Sequence, residues 1–517
     1  MMADKATHQR ETRQLIGIIT LNPGGENLLV PVFLGCPKCP KGDGEYLKDN
    51  IVAVIDHFIK SEQLVGFTGD GVYILCKVVE KLEKHYRTSF FKTWDEMHLA
   101  ATVDTKLRKL KKFAWAVKIT VVIGKGVKFV AWGREWWHFF NVGEELEKNE
   151  DFDFKMYRPA AFSETKFANS ASIVYTKFRE LFPALVITLE EVKQDFHNGN
   201  STEKVKAEKA DEVQSGIMNY LFCLSLSALV DIYRVYGAIS NILQIINILP
   251  HERHDMFKNQ LAKFREMKNS VDLEDCPCMM VVEGDEVKED SKEILEEVCC
   301  WLALHADTRD MLKKGKYRGV VLGQLNMDPT NTREGRQQAT QWLEEDRQST
   351  ANKVYRRAEE MVSYLMEGLG EKVYNDEAII MMNHSRRLLN IESDLIKVKI
   401  NGAANVSNLG WRGFMSAALF FEPAVFTRIT EEEMRKQYRE FNRRLEEISK
   451  KKETMGLSSK KILSLFFDPK MKMYVDIEGV LSVLARACVS KGVEAIVESW
   501  VSVMETHCSS VRWINLI

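Results

Sequence analysis

Proline and net charge are both scarce in this chain. Its 517 residues include only 11 prolines, and 72 Lys and Arg side chains balance 74 Asp and Glu side chains to a net charge of −2. Few prolines leave room for long helices, because proline breaks a helix interior. A nearly neutral chain has no global field that attracts nucleic acid or a membrane surface. Any such contact must therefore come from a local patch.

A secretory leader and a regular cysteine framework are also lacking. The ten cysteines are irregularly spaced, which indicates free thiols in a reducing compartment. Cys36 and Cys39 form a CxxC pair, but a structural zinc site needs four ligands and no second pair lies nearby. The most apolar stretch, 217–249, carries Asp231 and Arg234. A membrane span would need ~20 residues nearly free of charge, so we expect a buried helix.

The first hundred residues predict a sheet with helices. Apolar runs at 14–21 and 28–34 flank an Asn-Pro-Gly-Gly turn and predict a hairpin. An amphipathic helix at 47–58 follows, then a short strand that closes at Asp70 and a helix at 72–86. Residues 1–5 are compatible with the end of an additional strand that carries Asp4. The resulting order is strand, strand, strand, helix, strand, helix.

Asp70 is the most informative residue. An Asp at the carboxyl end of a buried strand, followed by the flexible Gly71, lies where an α/β sheet places groups that face a ligand. Asp residues at such positions also form turns or cap helices. Both interpretations stay open on the residues alone.

The remainder of the chain is mainly helical in pattern. Two apolar stripes at helical spacing start at Val354 and Met434, and Thr430 with Glu433 predicts a capping box before the second. The run 105–112 is strongly basic and could contact phosphates or form a solvated helix face. For three aromatic residues after it, core packing is favoured over stacking on flipped bases: Trp132, Trp136 and Trp137.

Together these residues resemble the hAT superfamily of DNA transposases and the host genes derived from them. Four places carry the resemblance: the first-strand segment 3–7 with Asp4, the segment 66–71 with Asp70, the segment 95–98 that ends in His98, and 497–499 with Glu498. Segments 165–170 and 229–244 agree further. Asp95 stands where the family has the cysteine of a CxxH motif, and 166–167 is Lys-Phe where the family has Arg-Trp. The amino-terminal zinc finger and the carboxyl-terminal dimerisation region are missing, which is typical of a fragment, a truncated gene model or a remnant.

The resemblance implies a fold of the α/β plus α class. We expect a ribonuclease-H-like mixed sheet in residues 1–164 with a truncated first strand, a large all-helical insertion at 165–490, and a return helix at 491–517 that carries the third acid.

The resemblance also implies a site. Asp4, Asp70 and Glu498 would hold two Mg²⁺ or Mn²⁺ ions ~4 Å apart, with Glu494 as a competitor for the third acid. Residues that would contact DNA are His98, Lys106, Arg108, Lys109, Lys111, Lys112 and Lys166, although a buried structural role is favoured for the histidine. Without the finger, DNA binding should be weak.

The implied function is that of a hAT-like transposase or transposase-derived remnant with impaired metal-dependent DNA cleavage and transfer. An alternative is a domesticated, non-catalytic nuclear scaffold that binds protein or chromatin through the helical insertion. A third is a ribonuclease-H-like nuclease that never transposed. The resemblance further implies a nuclear location, a homo-oligomer formed through the missing carboxyl-terminal region, and no membrane partner.

Overall fold

The computed structural model describes residues 1–8, 11–149, 154–162, 167–270, 300–322, 333–391, 410–451 and 457–490. The chain divides into two compact units. Unit 1 comprises residues 1–99, 242–258 and 373–517, and unit 2 comprises 100–241 and 259–372. These boundaries differ from those expected at 164 and 490, because the polypeptide leaves and re-enters unit 1 more than once.

Unit 1 contains a five-stranded mixed sheet, of which the sequence pattern predicts the first four strands but not the fifth. Its order is β3-β2-β1-β4-β5; the first three strands pair antiparallel, and β4 and β5 run parallel to β1. The strands are β1 (Met2–His8), β2 (Glu11–Leu21), β3 (Leu29–Gly35), β4 (Gly66–Gly69) and β5 (Phe91–Trp94).

Helix α1 (Gly44–Phe58) connects β3 to β4 and supplies much of the core on one face of the sheet. Its buried residues Leu47, Ile51 and Ile55 pack in one cluster with Ala3 and Phe67 from the strands. The prediction of a single helix at 72–86 is wrong, because the segment is divided in two. It is two helices, α2 (Gly71–Leu75) and α3 (Val78–Tyr86), because Lys77 between them adopts a left-handed conformation with φ 52°.

The remaining helices of unit 1 follow the apolar periodicity of the sequence. In the predicted second stripe, Thr430 caps the helix by accepting a hydrogen bond from the Glu433 amide at 3.2 Å. All five apolar residues of that stripe are buried, so the predicted helix is confirmed. Two further helices are divided between the units. Unit 1 contains the first turn of α4 (Glu96–Lys109) and the first turns of α10 (Pro250–Asn269). The later helices are α13 (Asp376–Leu389), α14 (Gly410–Phe421), α15 (Glu431–Lys450), α16 (Ser459–Phe467) and α17 (Glu478–Val489).

The described residues of unit 2 form helices and a two-stranded hairpin, with turns between them. Its helices, besides the rest of α4 and α10, are α5 (Ala114–Phe129), α6 (Gly133–Glu147), α7 (Phe167–Phe196), α8 (Ser201–Ile217), α9 (Tyr220–Leu243), α11 (Leu302–Lys314) and α12 (Arg333–Val373). The hairpin pairs β6 (Lys316–Tyr317) with β7 (Val320–Val321). In the part of 165–490 that is described, no sheet of four or more strands occurs, which agrees with the predicted helical insertion.

Helix α9 is the most apolar long helix among the described residues of unit 2. By length and composition it alone among the described helices could cross a membrane, and 89% of its most apolar 18-residue window is buried inside the protein. The sequence predicts a buried helix here, because the apolar stretch carries Asp231 and Arg234. Such burial is typical of a core helix.

Candidate active site

Asp70 lies where β4 ends and α2 begins. All four residues of β4 are buried, and Asp70 is half-buried. Its Oδ1 atom accepts hydrogen bonds from the amides of Val72 at 2.9 Å and Tyr73 at 3.4 Å. The side chain therefore caps α2, which is one of the two roles that the sequence leaves open. Capping uses one carboxylate oxygen and does not neutralise the charge.

Asp4 lies beside Asp70 in the sheet. In the parallel pair of β1 and β4, Met2 is opposite Thr68 and Ala3 is opposite Gly69. The next residue of each strand is an aspartate, and neighbouring strands are ~4.8 Å apart. Because Ala3 belongs to the core cluster on the face of α1, alternation directs Asp4 to the opposite face of the sheet.

Asp95 continues this arrangement on the third parallel strand. Gly69 is opposite Trp94 in the pair of β4 and β5, and the Asp95 amide donates to the Gly69 carbonyl at 3.2 Å. Asp95 in turn caps α4, accepting from the His98 amide at 3.0 Å. We define Asp4, Asp70 and Asp95 as the acidic row, since each follows the last position at which its strand pairs with a parallel neighbour. The expectation that Asp4 ends its strand is wrong, because β1 continues to His8 and Asp4 pairs with Leu15 of β2.

Two threonines, Thr68 of β4 and Thr93 of β5, contact each other close to Asp70 and Asp95 in the sequence. The hydroxyls of Thr68 and Thr93 are 2.6 Å apart, and Thr93 also donates to the Phe67 carbonyl at 3.3 Å. Hydroxyl contacts between neighbouring strands help to fix their relative height. The register of Asp70 relative to Asp95 is thus held by side chains as well as by the backbone ladder.

A buried ion pair, Glu96 with Arg253, contacts the first turn of α4. Glu96 and Arg253 are both almost fully buried, and Arg253 Nη1 lies 3.4 Å from Glu96 Oε2. Burial and the nearby Glu96 raise the pKa of the Tyr374 hydroxyl well above its usual value. The ring of His254 packs on Tyr374 with centroids 4.4 Å apart. These contacts fix the turn that carries Asp95 and His98, and His98 itself is half-buried.

The acidic row offers the donor chemistry of a Mg²⁺ or Mn²⁺ site, because hard cations prefer carboxylate oxygens. Within the described part of the chain, however, no group of three or more His, Cys, Asp or Glu side chains is arranged to hold a metal ion. Asp4 and Asp70 would supply two of the predicted carboxylates. The predicted third acid Glu498, its competitor Glu494 and the phosphate contact Lys166 lie outside the described residues.

The CxxC pair does not form a metal site among the described residues. The thiols of Cys36 and Cys39 are free, and burial raises the pKa of both, that of Cys36 to about 11. A thiol with a raised pKa is protonated at neutral pH and is a poor metal ligand.

The basic run lies in unit 2, at the end of α4 and in the 3₁₀ turn Lys111–Phe113. Arg108 is a structural residue here, because its Nε is 2.9 Å from Oδ2 of the buried Asp104, which also accepts from the Tyr233 hydroxyl at 2.5 Å. Burial raises the pKa of Asp104, while Arg108 and Tyr233 oppose that effect. The other four cations of the run are exposed: Lys106, Lys109, Lys111 and Lys112.

The preference for core packing is wrong for two of the tryptophans. Trp132 and Trp137 are 74% and 62% exposed, because α6 buries Phe139, Val142 and Leu146 on its other face. Trp136 is half-buried. The Arg158 guanidinium lies 4.8 Å from the Trp132 ring centroid, a cation–π contact on the surface of unit 2.

Sequence reasoning missed Asp95 as a member of the row. The signal was present, since Trp94-Asp95 repeats the pattern of Gly69-Asp70: a short strand, an aspartate and then a helix. Comparison with known proteins adds no further residue. No protein-family model and no curated protein matches this chain.

Proposed function

We propose that this protein is a hAT-transposase-like protein with a ribonuclease-H-like core, whose ancestral reaction is metal-dependent cleavage and transfer of DNA strands. One observation carries the proposal. Asp4 and Asp70 follow paired positions of adjacent parallel strands in a sheet of order β3-β2-β1-β4-β5. These are the two strands on which the resemblance expects the first two acids.

The residues of unit 1 have distinct roles in this proposal. Asp4 and Asp70, with Glu498 from the end of the chain, would hold two divalent cations. With these ions bound, a water or 3′-hydroxyl is activated for attack on phosphorus and the leaving oxygen is stabilised. Asp95 and the buried pair of Glu96 and Arg253 would position the first turn of α4 beside the site.

The test is Mn²⁺ binding by the full chain, measured by electron paramagnetic resonance, together with nicking of linear duplex DNA. Asp70→Asn should abolish both, because the amide loses the charge but still caps α2. Asp43→Asn is the matched control. Asp43 also caps a helix, with its Oδ1 2.9 Å from the Tyr46 amide, and its replacement should leave both readouts unchanged.

We expect slow nicking and no strand transfer, because the chain is nearly neutral and its strongly basic run spans only eight residues, so few phosphate contacts hold the DNA. Mn²⁺ binding and cleavage that persist in Asp70→Asn would place the site elsewhere and refute the assignment. Absence of Mn²⁺ binding in the unaltered protein would favour the second candidate.

The second candidate is a non-catalytic scaffold that binds chromatin protein through unit 2. The exposure of Trp132 and Trp137 supports it, because large aromatic residues on a surface are typical anchors of protein interfaces. Hydrogen exchange of α6 with and without nucleosomes tests this function. Protection of α6 that Trp137→Ala removes would support the scaffold, and unchanged exchange would count against it.

A further inference from the structure

Helices α4 and α12 of unit 2 approach each other closely. A Cβ atom built on Gly368 would lie 2.7 Å from Cγ1 of Val103, so only glycine fits at this crossing without a shift. Lys106 lies one turn beyond Val103 on α4, and Lys372 lies one turn beyond Gly368 on α12. The two ammonium groups are neighbours, and their proximity lowers the pKa of Lys106.

The same pair of segments positions a third lysine. The rings of Phe113 and Tyr364 pack with centroids 5.5 Å apart. The Lys112 ammonium lies 4.9 Å from the first ring centroid and 5.7 Å from the second. We define Lys106, Lys112 and Lys372 as the lysine cluster. Residues from two distant parts of the sequence thus present three exposed cations on unit 2.

In the described part of unit 2, the lysine cluster is one of several groups of cations without a carboxylate partner, and it contrasts with cations that are paired. Among the described residues, no ion pair involves any of the three lysines. By contrast, Lys125 Nζ lies 2.6 Å from Glu212 Oε1, and Lys193 Nζ lies 2.9 Å from Asp211 Oδ1.

Neighbouring ammonium groups repel each other, so folding alone gains nothing from this arrangement. A bound polyanion removes the repulsion. Phosphate contacts by lysine position a nucleic acid without reading its sequence.

We propose that the lysine cluster binds the phosphodiester backbone of DNA, and that Lys372 is a contact contributed from outside the basic run. The choice of DNA as the polyanion rests on the proposed function. The site itself rests on the packing of α4 against α12. Arg108 takes no part, because Asp104 neutralises it.

The experiment measures binding of the full chain to a fluorescein-labelled 30-base-pair duplex over a series of salt concentrations, in EDTA. Replacing one phosphate contact lowers the slope of log K against log salt by about 0.9, which is about a tenfold loss of affinity at 50 mM salt. Lys106→Gln and Lys372→Gln should each have this effect, and the double variant about twice the change in slope. Lys125→Gln is the matched control and should change neither quantity, because Glu212 already neutralises that charge.

A slope and affinity of Lys372→Gln equal to those of the unaltered protein would overturn the proposal. Thermal melting of each variant checks that the fold is retained, which we expect for exposed side chains. EDTA removes divalent metal, so loss of the metal site leaves this readout unaffected. Failure of the lysine cluster and failure of the proposed cleavage function are therefore distinguishable.

Discussion

Asp70 in unit 1 and Asp307 in unit 2 are both held by hydrogen-bond donors, but the charge of those donors differs. Among the described residues, the hydrogen-bond donors to Asp70 are the backbone amides of Val72 and Tyr73. Asp307 accepts from Nε and Nη2 of Arg179 at 2.6 and 2.7 Å, and from the Ser227 hydroxyl at 2.5 Å. A carboxylate held by neutral donors keeps its charge for a ligand, whereas one held by a bidentate arginine is already neutralised. Acids of the first kind are candidates for function, and acids of the second kind stabilise the fold.

The largest expected effect is the loss of stability on replacing Asp307, the acid that we assign a structural role. Asp307→Asn should lower the free energy of unfolding by about 3–5 kcal/mol, because it leaves the buried Arg179 guanidinium without a counter-charge. Chemical denaturation measures the change. The double variant Asp307→Leu with Arg179→Met is the control, and it should recover most of the loss since no unpaired charge remains. A loss below about 1 kcal/mol for Asp307→Asn would show that solvent reaches the pair.

Asp231 of α9 is a third kind of acid, and the pH dependence of protein stability distinguishes it from Asp70 and Asp307. Burial raises the pKa of Asp231 to about 6, against the opposing effects of Arg234 and of the amides of Leu304 and Ala303. The folded state then binds more protons than the unfolded state between about pH 4 and 6, so the free energy of unfolding rises as the pH falls through that window. The contribution is about 3 kcal/mol in all.

Asp231→Asn should remove this contribution while its amide oxygen still accepts from α11. The measurement is denaturation at a series of pH values, with the difference between variant and unaltered protein taken at each. An identical pH dependence in both proteins would mean that Asp231 titrates normally in the folded state.

The smallest effect is expected at Asp70. Asp70→Ala should cost about 1 kcal/mol because a helix cap is lost, and Asp70→Asn should cost only a few tenths. Hydrogen exchange of the Val72 and Tyr73 amides reports the local change. A loss of several kcal/mol in Asp70→Asn would mean that Asp70 belongs with Asp307 as a structural acid, and the comparison between the two units would fail.

Much of the fold was predictable because it is encoded locally. The continuous apolar runs of the first hairpin and the helical stripe that begins at Met434 each indicate their own secondary structure, and Thr430 caps its helix through a residue three positions away. The break at Lys77 was not predictable, since lysine has no preference for the left-handed conformation that it adopts. Its position depends on how α2 and α3 pack.

The candidate site was predictable only in part. Asp70 could be assigned because an aspartate that follows an apolar strand is visible in the sequence, whereas Asp4 lies inside β1 and its assignment depended on the resemblance. The place of Asp95 beside them depends on the parallel pairing of β4 with β5, and pairing partners leave no local signal. The exposure of Trp137 depends similarly on which face of α6 the neighbouring helices cover.

The sequence by itself determined most of the helices, the first four strands and Asp70 at the end of one of them, because propensity, apolar period and capping act over a few residues. Only the tertiary structure decided which charges are neutralised. Arg108 and Lys106 lie two positions apart in one basic run, yet the first pairs with buried Asp104 and the second faces Lys372. The physical reason is that charge interactions depend on distance and burial, and both are set by elements far apart in the chain.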